Sequence, residues 1–513
     1  MSSSQLLALP NTEAVRRHRA ISTPSRPSQD IVPTLKAIRE ENHGLESIEK
    51  PIPTATRPRR ESKHLFHRLD FEYRLTAFDP HNTERSKTSF KGFFILFWLG
   101  LSLLVLTTLL RNLKETGRIF GTSVATLFIH NVQEVAMTDA AMILSTFYVI
   151  PIQVACSKGW INWNGMGRVL HYSLQWAWFG ACMVVASVRD WSWTAIAFFT
   201  LHSIVMLMKI HSYGSYNGHL SVIRKQLNAL KKAETVENEG LHAAKKEILT
   251  LELTSTLGHV TYPANLKNPV WNYVDYLLVP TLCYHIEYPR TPHGIRWGYV
   301  AEKALATFGT IFLLAITVEH HIMPILTQAS KDLAEEPSAL TSGLIFAEAL
   351  SALLWPYMLV FLLVFYIIFE CILNVFAEVT CFADRLFYDD WWNCANWESF
   401  ARMWNKPVHH WLLRHVYMPC RPRLSRGGAT MMTFFISAVL HELVMGMITR
   451  KVRGYGFFCQ MLQVPFMAIQ RSKFMRDKEL LGNVLFWLSM ITGLSGMTYI
   501  KEFTLVDLSL FTH

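Results

Sequence analysis

ATMMTFFISAVLHELVMGMI, residues 429–448, decides how this chain is to be read. Twelve uncharged residues precede His441, which at 1.5 Å of rise per residue puts the imidazole about 18 Å inside an apolar helix. A run of roughly 20 apolar residues is what a helix needs to span the hydrocarbon core. Working outward, comparable runs occupy 92–110, 138–155, 169–188, 191–208, 304–318, 349–369, 454–470 and 481–500, which makes nine expected spans. The whole chain agrees: its 513 residues are 51% hydrophobic and only 17% charged, against about 25% charged in soluble domains. Mean hydropathy is +0.19 even though the first ninety residues are polar. A soluble enzyme, a disordered protein and a fibrous repeat are excluded. The expectation is an all-α polytopic membrane protein, with sixteen Trp and thirty-two Phe suited to lipid-facing surfaces and interfacial belts.

Residues 1–91 are rich in Ser, Pro, Arg and Glu and show no sustained apolar period, the pattern of a disordered cytosolic tail. The opening MSSSQLLALPNTEAVRRHR sets charge after the apolar stretch, the reverse of a secretory signal peptide. Net charge is +10. With the tail cytosolic and nine spans, 40 of the 49 Lys and Arg lie on the cytosolic side, as the positive-inside rule requires. The basic excess therefore marks cytosolic loops and not a nucleic-acid partner. Eight Cys stand singly, without a CxxC pair, so neither a zinc site nor a disulfide framework is indicated. Residues 221–256 alternate charge with Leu and Ile at helical spacing, which predicts an amphipathic helix lying at the surface.

Ionisable residues inside a membrane are costly and mark function by default. Asp139 and Glu348 fall near helix ends, where they cost little, and His171 and His202 are expected to be neutral and satisfied by a nearby hydroxyl. His441–Glu442 lies too deep for that reading alone; a structural hydrogen-bonding role and a catalytic or transport role both remain open. A neutral imidazole there could take a proton from a hydroxyl arriving through lipid. HEL lacks the second His of HExxH, and the doublets His320–His321 and His409–His410 lack helical spacing, so no metal is expected. In FYDDWWNCANWESFARMWNKPVHHWLLRHVY, residues 387–417, the aromatic density suits an interfacial belt. Arg402, Asn405, Lys406 and His409 nevertheless fall at i, i+3, i+4 and i+7, one face of a helix that Pro407 can distort. Cations beside aromatics suit a ligand carrying phosphates and a flat ring.

The motif Phe387, Tyr388, Asp389, Asp390, Trp391, Trp392, Asn393, the WNKPVHHWLLRHVY run at 404–417 and the intramembrane VLHEL around His441 resemble the membrane-bound O-acyltransferase superfamily. Within it they look like the branch of sterol O-acyltransferases and type-one diacylglycerol acyltransferases. TYPANL at 261–266, PTLCYHIEYPR at 280–290 and FYIIFE at 365–370 extend the likeness over nearly everything from residue 90 onward. MKIHSY at 208–213 is similar to the MKxHSY of sterol acyltransferases; with HSYGSYNG and LLRHVY it looks closest to fungal sterol esterification enzymes.

The resemblance implies about nine transmembrane helices enclosing an intramembrane reaction chamber, with residues 92–513 as the acyltransferase domain. It implies transfer of a long-chain fatty acyl group from acyl-CoA to a sterol 3-hydroxyl, making steryl esters for storage; diacylglycerol is the alternative acceptor and a lipid transporter the non-enzymatic alternative. It assigns His441 as base and Asn405 as the group orienting the thioester or oxyanion. Arg402, His409 and Tyr417 would contact coenzyme A, Trp404 would line the acyl entrance and Ser437 would share the site of His441. No cofactor is implied beyond acyl-CoA as co-substrate. The implied setting is the endoplasmic reticulum membrane, with membrane lipid as surroundings and a homo-oligomeric assembly. Leu413 departs from the aromatic of some animal members, so the resemblance does not carry over one coenzyme A contact, while the chemistry is unaffected.

Overall fold

The computed structural model describes residues 91–117, 131–232, 239–335, 337–472, 475 and 478–503; the expected N-terminal tail lies outside them. Among the described residues the chain is helical, with only two isolated bridges, Thr254 to Thr261 and Arg290 to Phe382. Seven helices are long and apolar enough to cross a membrane. They are α1 (Ile95–Thr116), α2 (Val132–Ser157), α3 (Trp163–Val188), α4 (Trp193–Lys232), α7 (Trp297–Ala334), α8 (Ala339–Val379) and α11 (Arg426–Thr449). Between them stand α5 (Glu239–Leu253), α6 (Pro269–Leu278), α9 (Trp397–Met403) and α10 (Lys406–Leu412). The chain closes with α12 (Tyr455–Gln470) and α13 (Glu479–Phe503).

Each expected span lies within one of these helices save for at most three residues at its start, α13 running 25 residues and α12 only 16. With 16 residues, α12 is about 24 Å long, short of a hydrocarbon core of about 30 Å. Conversely α4 continues far beyond its apolar part, to 40 residues. The amphipathic stretch 221–256 is consequently not one surface helix. Its first part finishes α4, and α5 folds back so that Leu249 and Leu253 join Ile223 and Leu227 in the main core. Burying those leucines outweighs leaving both helices solvated.

That core is built on Ile210, Tyr213, Leu220, Tyr273, Tyr276 and Tyr284, all fully buried. Lys209 crosses it: its ammonium donates to the carbonyls of Tyr276 (2.9 Å), Leu277 (3.0 Å) and Val279 (2.9 Å) at the end of α6. All three donors are spent on carbonyls at the negative end of a helix, which is how a buried cation is tolerated. Gly214 and Gly218 let α3 lie directly on α4; a Cβ at Gly214 would sit 2.2 Å from the His171 ring, and one at Gly218 2.1 Å from the Trp163 ring. Two histidine expectations change here. His202 is paired through Nδ1 with Asp139 Oδ1 at 2.7 Å, not with a hydroxyl. His171 is fully buried between Trp163 and Tyr172, and neither ring nitrogen has a hydrogen-bond partner among the described residues.

Candidate active site

Ser425 starts α11 by accepting the Gly428 N–H on its hydroxyl (3.1 Å), and fifteen residues after the first helical position comes His441. Its Nδ1 lies 2.7 Å from the main-chain oxygen of Ser437, one turn earlier. A carbonyl only accepts, so Nδ1 carries the hydrogen and Nε2 keeps its lone pair. Phe434, seven residues before and on the same helix face, packs into the cluster of Trp391, Phe400, Met467 and Phe486. The His441 face thus turns toward neighbouring helices, yet the ring itself is exposed and not packed against protein. Ser437 extends the polar spot, its hydroxyl facing Gln460 Nε2 of α12 at 3.4 Å; Gln463 bonds Gln460 at 3.1 Å. These two glutamines lie in the expected span 454–470 and are visible there as its polar positions.

Glu442 points away from this spot. Its carboxylate accepts the backbone N–H groups of Arg453 (3.0 Å), Gly454 (2.6 Å) and Phe457 (3.1 Å), capping the start of α12. Four N–H groups at a helix start lack internal partners, so the carboxylate serves the helix neighbour and leaves His441 to the Ser437 carbonyl.

The motif at 387–393 is fastened to the run that follows it. Asp389 N–H donates to the Met403 carbonyl (2.8 Å), Lys406 N–H to the Phe387 carbonyl (3.0 Å), and the Lys406 ammonium lies 3.1 Å from Asp389 Oδ1. Tyr388 donates to Glu370 at 2.6 Å, and Glu370 lies 3.6 Å from the Lys303 ammonium. Trp391 is almost wholly buried among Phe361, Phe365, Phe400 and Trp487. The carbonyl of Trp392 accepts Asn483 (3.1 Å) and Trp487 (3.2 Å) from α13, and Asn393 closes a 3-10 turn on Asp390 (3.1 Å). The aromatic density read as a belt is therefore largely packing. Upstream, buried Glu378 is held by Arg296 (2.8 Å) and Arg385 (2.5 Å), anchoring the chain that enters the motif.

The expected single helical face through 402–409 is broken. Helix α9 stops at Met403, and Asn405 is the N-cap of α10 with φ −146° and ψ 82°, its Oδ1 accepting the Val408 N–H at 3.2 Å. An Asn before Lys-Pro is a capping signature, since Pro suits the first helical turn and not its interior. Arg402 is left on the exposed side, paired with Glu398, which also holds Arg471 at 2.5 Å. Trp404 stacks on Phe400 at 5.5 Å and meets Phe369 at 6.1 Å. His409 is half-buried; burial together with His410, Arg402 and Lys406 pushes its pKa down to about 4, so it is neutral at physiological pH. Tyr417 ends the turn after α10, half-buried. Among the described residues no hydrogen bond joins His441 to the 402–417 segment, and no group of three His, Cys, Asp or Glu side chains converges as a metal site.

Asn405 and His441 thus share a trait. Each spends one polar atom on local backbone and keeps the complementary one: the Asn405 amide keeps its two donors, the His441 ring one acceptor.

The long apolar helices are those of a polytopic membrane protein, and the comparisons give its class. Residues 113–499 match the model of the MBOAT, membrane-bound O-acyltransferase family, and the chain belongs to that family. It is 43% identical over 419 residues to a Schizosaccharomyces pombe protein named probable sterol O-acyltransferase 2, covering 81% of this chain and 87% of that one. It is 36% identical over 428 residues to sterol O-acyltransferase 2 of Saccharomyces cerevisiae, covering 80% and 66%. Diacylglycerol O-acyltransferase 1 of Dictyostelium discoideum aligns at 36% over 249 residues, 48% of this chain and 38% of that one.

Proposed function

We propose that this protein is an acyl-CoA-dependent sterol O-acyltransferase, esterifying a sterol 3-hydroxyl with a long-chain acyl group. The observation that carries the reading is His441, a membrane-depth imidazole with Nδ1 committed to Ser437 and Nε2 unspent, in a chain of this family. Similarity to relatives named sterol O-acyltransferase runs over four-fifths of the chain, whereas similarity to the diacylglycerol enzyme covers under half. Diacylglycerol is the second acceptor to test.

In the reaction, the sterol oxygen attacks the thioester carbonyl while His441 Nε2 takes its hydrogen. The oxyanion that forms is met by the Asn405 amide N–H groups. As it collapses, the ester C–O bond is complete, the C–S bond breaks, and the coenzyme A thiolate leaves and recovers the proton from the imidazolium. Protons and charge balance without a metal or nucleotide. Arg402, His409 and Tyr417 hold the coenzyme A head, Trp404 lines the acyl entrance and Ser437 shapes the base site. The sterol enters sideways from lipid, and excluded water protects the thioester. The setting is the endoplasmic reticulum membrane with the N-terminus cytosolic, consistent with 40 of 49 Lys and Arg on that side. The protein self-associates, α1 offering Leu96, Leu99, Leu103 and Leu110 on its outer surface. Purified protein supplied with labelled oleoyl-CoA and, separately, a sterol or diacylglycerol tests the reading. Labelled steryl ester is expected; triacylglycerol alone would move the assignment to the second acceptor.

A further inference from the structure

Helix α10 and the turn after it are held by three bonds that reach some 130 to 200 residues along the chain, two to α4 and one to the 280–290 loop. Trp411 Nε1 donates to the Met208 carbonyl (2.9 Å), His415 Nε2 meets the Ser212 hydroxyl (2.9 Å), and Arg414 donates to the Tyr284 carbonyl (3.0 Å). The Ser212 hydroxyl also accepts the Tyr284 N–H (2.8 Å), so one oxygen joins α4, the 280–290 loop and His415. The His415 ring lies edge-on to His211 with centroids 5.0 Å apart and 5.2 Å from Trp411; His211 in turn is 5.5 Å from Trp411 and stacked on Tyr172 at 5.6 Å. Gln175 approaches His211 Nδ1 at 3.5 Å. None of these groups is used by the reaction derived above, and buried polar networks of this kind fix one arrangement of the elements they join.

We propose that His415, through Ser212 and against His211, is a positioning residue for the acyl-CoA site: it sets the seat of α10 on α4, and with it the aim of Asn405 and His409. The inference rests on the reading of 402–417 as the coenzyme A surface. Trp411 lies four residues before His415, and the Asn405 cap six residues before Trp411 at the other end of the same short helix, so a seat lost at His415 tilts the capped end. MKIHSY, similar to the sterol enzymes, then acts by holding the coenzyme A segment, with Met208, His211 and Ser212 each in contact with it. A neutral ring is required at 415, where a charge would face Arg414 and His211; burial and those two neighbours push its pKa down to about 2, so the seat is not undone at physiological pH.

The test uses the full-length protein in lipid nanodiscs. His415→Phe keeps ring packing on His211 and Trp411 but loses the bond to Ser212; His415→Gln keeps an amide nitrogen able to reach it from the Nε2 position. His415→Phe is expected to raise the acyl-CoA KM about fivefold to tenfold, the equilibrium equivalent of one hydrogen bond, with half-saturation by sterol unchanged. His415→Gln should restore the KM to within about twofold. Direct binding of coenzyme A should weaken in parallel. If His415→Phe lowers only the melting temperature and the amount of active protein, leaving the acyl-CoA KM where it was, the positioning role is overturned. Arg402→Ala and His409→Ala separate the two failures: if they raise the acyl-CoA KM and His415→Phe does not, this inference alone falls. If none of the three raises it, the reading of the coenzyme A surface falls as well.

Discussion

Two regions that bear chemistry are built in opposite ways. The 387–417 segment is fastened at almost every turn: backbone bonds at Phe387 and Asp389, ion pairs at Asp389 and Arg402, long-range bonds at Trp411, Arg414 and His415. His441 has a single bond, to its own helix, and an exposed ring. On the proposed function, the difference follows from what each would do. A surface recognising a large, charged, flexible ligand gains from being rigid beforehand, because ordering it on binding would cost affinity. A base that must meet a hydroxyl needs one unspent nitrogen and open space, and a second partner would remove it.

The comparison breaks most visibly if the loosely held residue is removed. His441→Ala is expected to reduce steryl ester formation by about 100- to 10,000-fold, the range of a lost general base, with the melting temperature nearly unchanged because so little is bonded to the ring. Asn405, which has one foot in each description, sharpens the contrast. Asn405→Asp keeps an oxygen for the Val408 N–H but loses both donors; it should cost about 100-fold or more in kcat and little stability. Asn405→Ala adds the loss of the cap, about 0.5–2 kcal/mol, and the difference in melting temperature between the two variants measures that share. Glu442→Ala leaves three N–H groups of α12 unmet and is expected to cost about 1–3 kcal/mol, read by thermal unfolding, with a kcat loss far smaller than at His441. Arg402→Ala should raise only the acyl-CoA KM, about two- to tenfold, since Arg402 is exposed and already shares Glu398 with Arg471.

The smallest effect concerns pH. His285 and His409 are both pushed down to about 4, His285 by burial and Arg414, His409 by burial and its cationic neighbours. The unfolded chain, with its imidazoles near 6.5, binds more protons than the folded one as pH falls from about 6.5 to 4. Stability should therefore be level above pH 7 and decline through that window; a decline on the alkaline side would contradict the neutral assignment.

The helices were readable from residues because apolar length is a local property: each expected span matches a helix, with at most three residues at its start outside it. Helix α12 differs from the other spans only in length, its apolar run ending with its 16 residues. What could not be read was pairing across distance. His202 finds Asp139 sixty-three residues away, and His415 finds Ser212 at two hundred and three. Nothing in the periodicity of either segment carries that information. The break at Asn405 was legible in principle, as an Asn cap ahead of Pro407, but the i, i+3, i+4, i+7 pattern concealed it. Glu442 offered two roles from sequence, and only the fold of 453–457 back onto α11 separates them.

The central claim is that one half-spent imidazole deprotonates the sterol. Single-turnover transfer from preloaded oleoyl-CoA, followed for wild type and His441→Ala at matched oleoyl-CoA occupancy, tests it most directly. The account predicts that the variant binds oleoyl-CoA as the wild type does and forms steryl ester at less than about one-hundredth of its rate. Transfer within about tenfold of wild type, with occupancy intact, would contradict it.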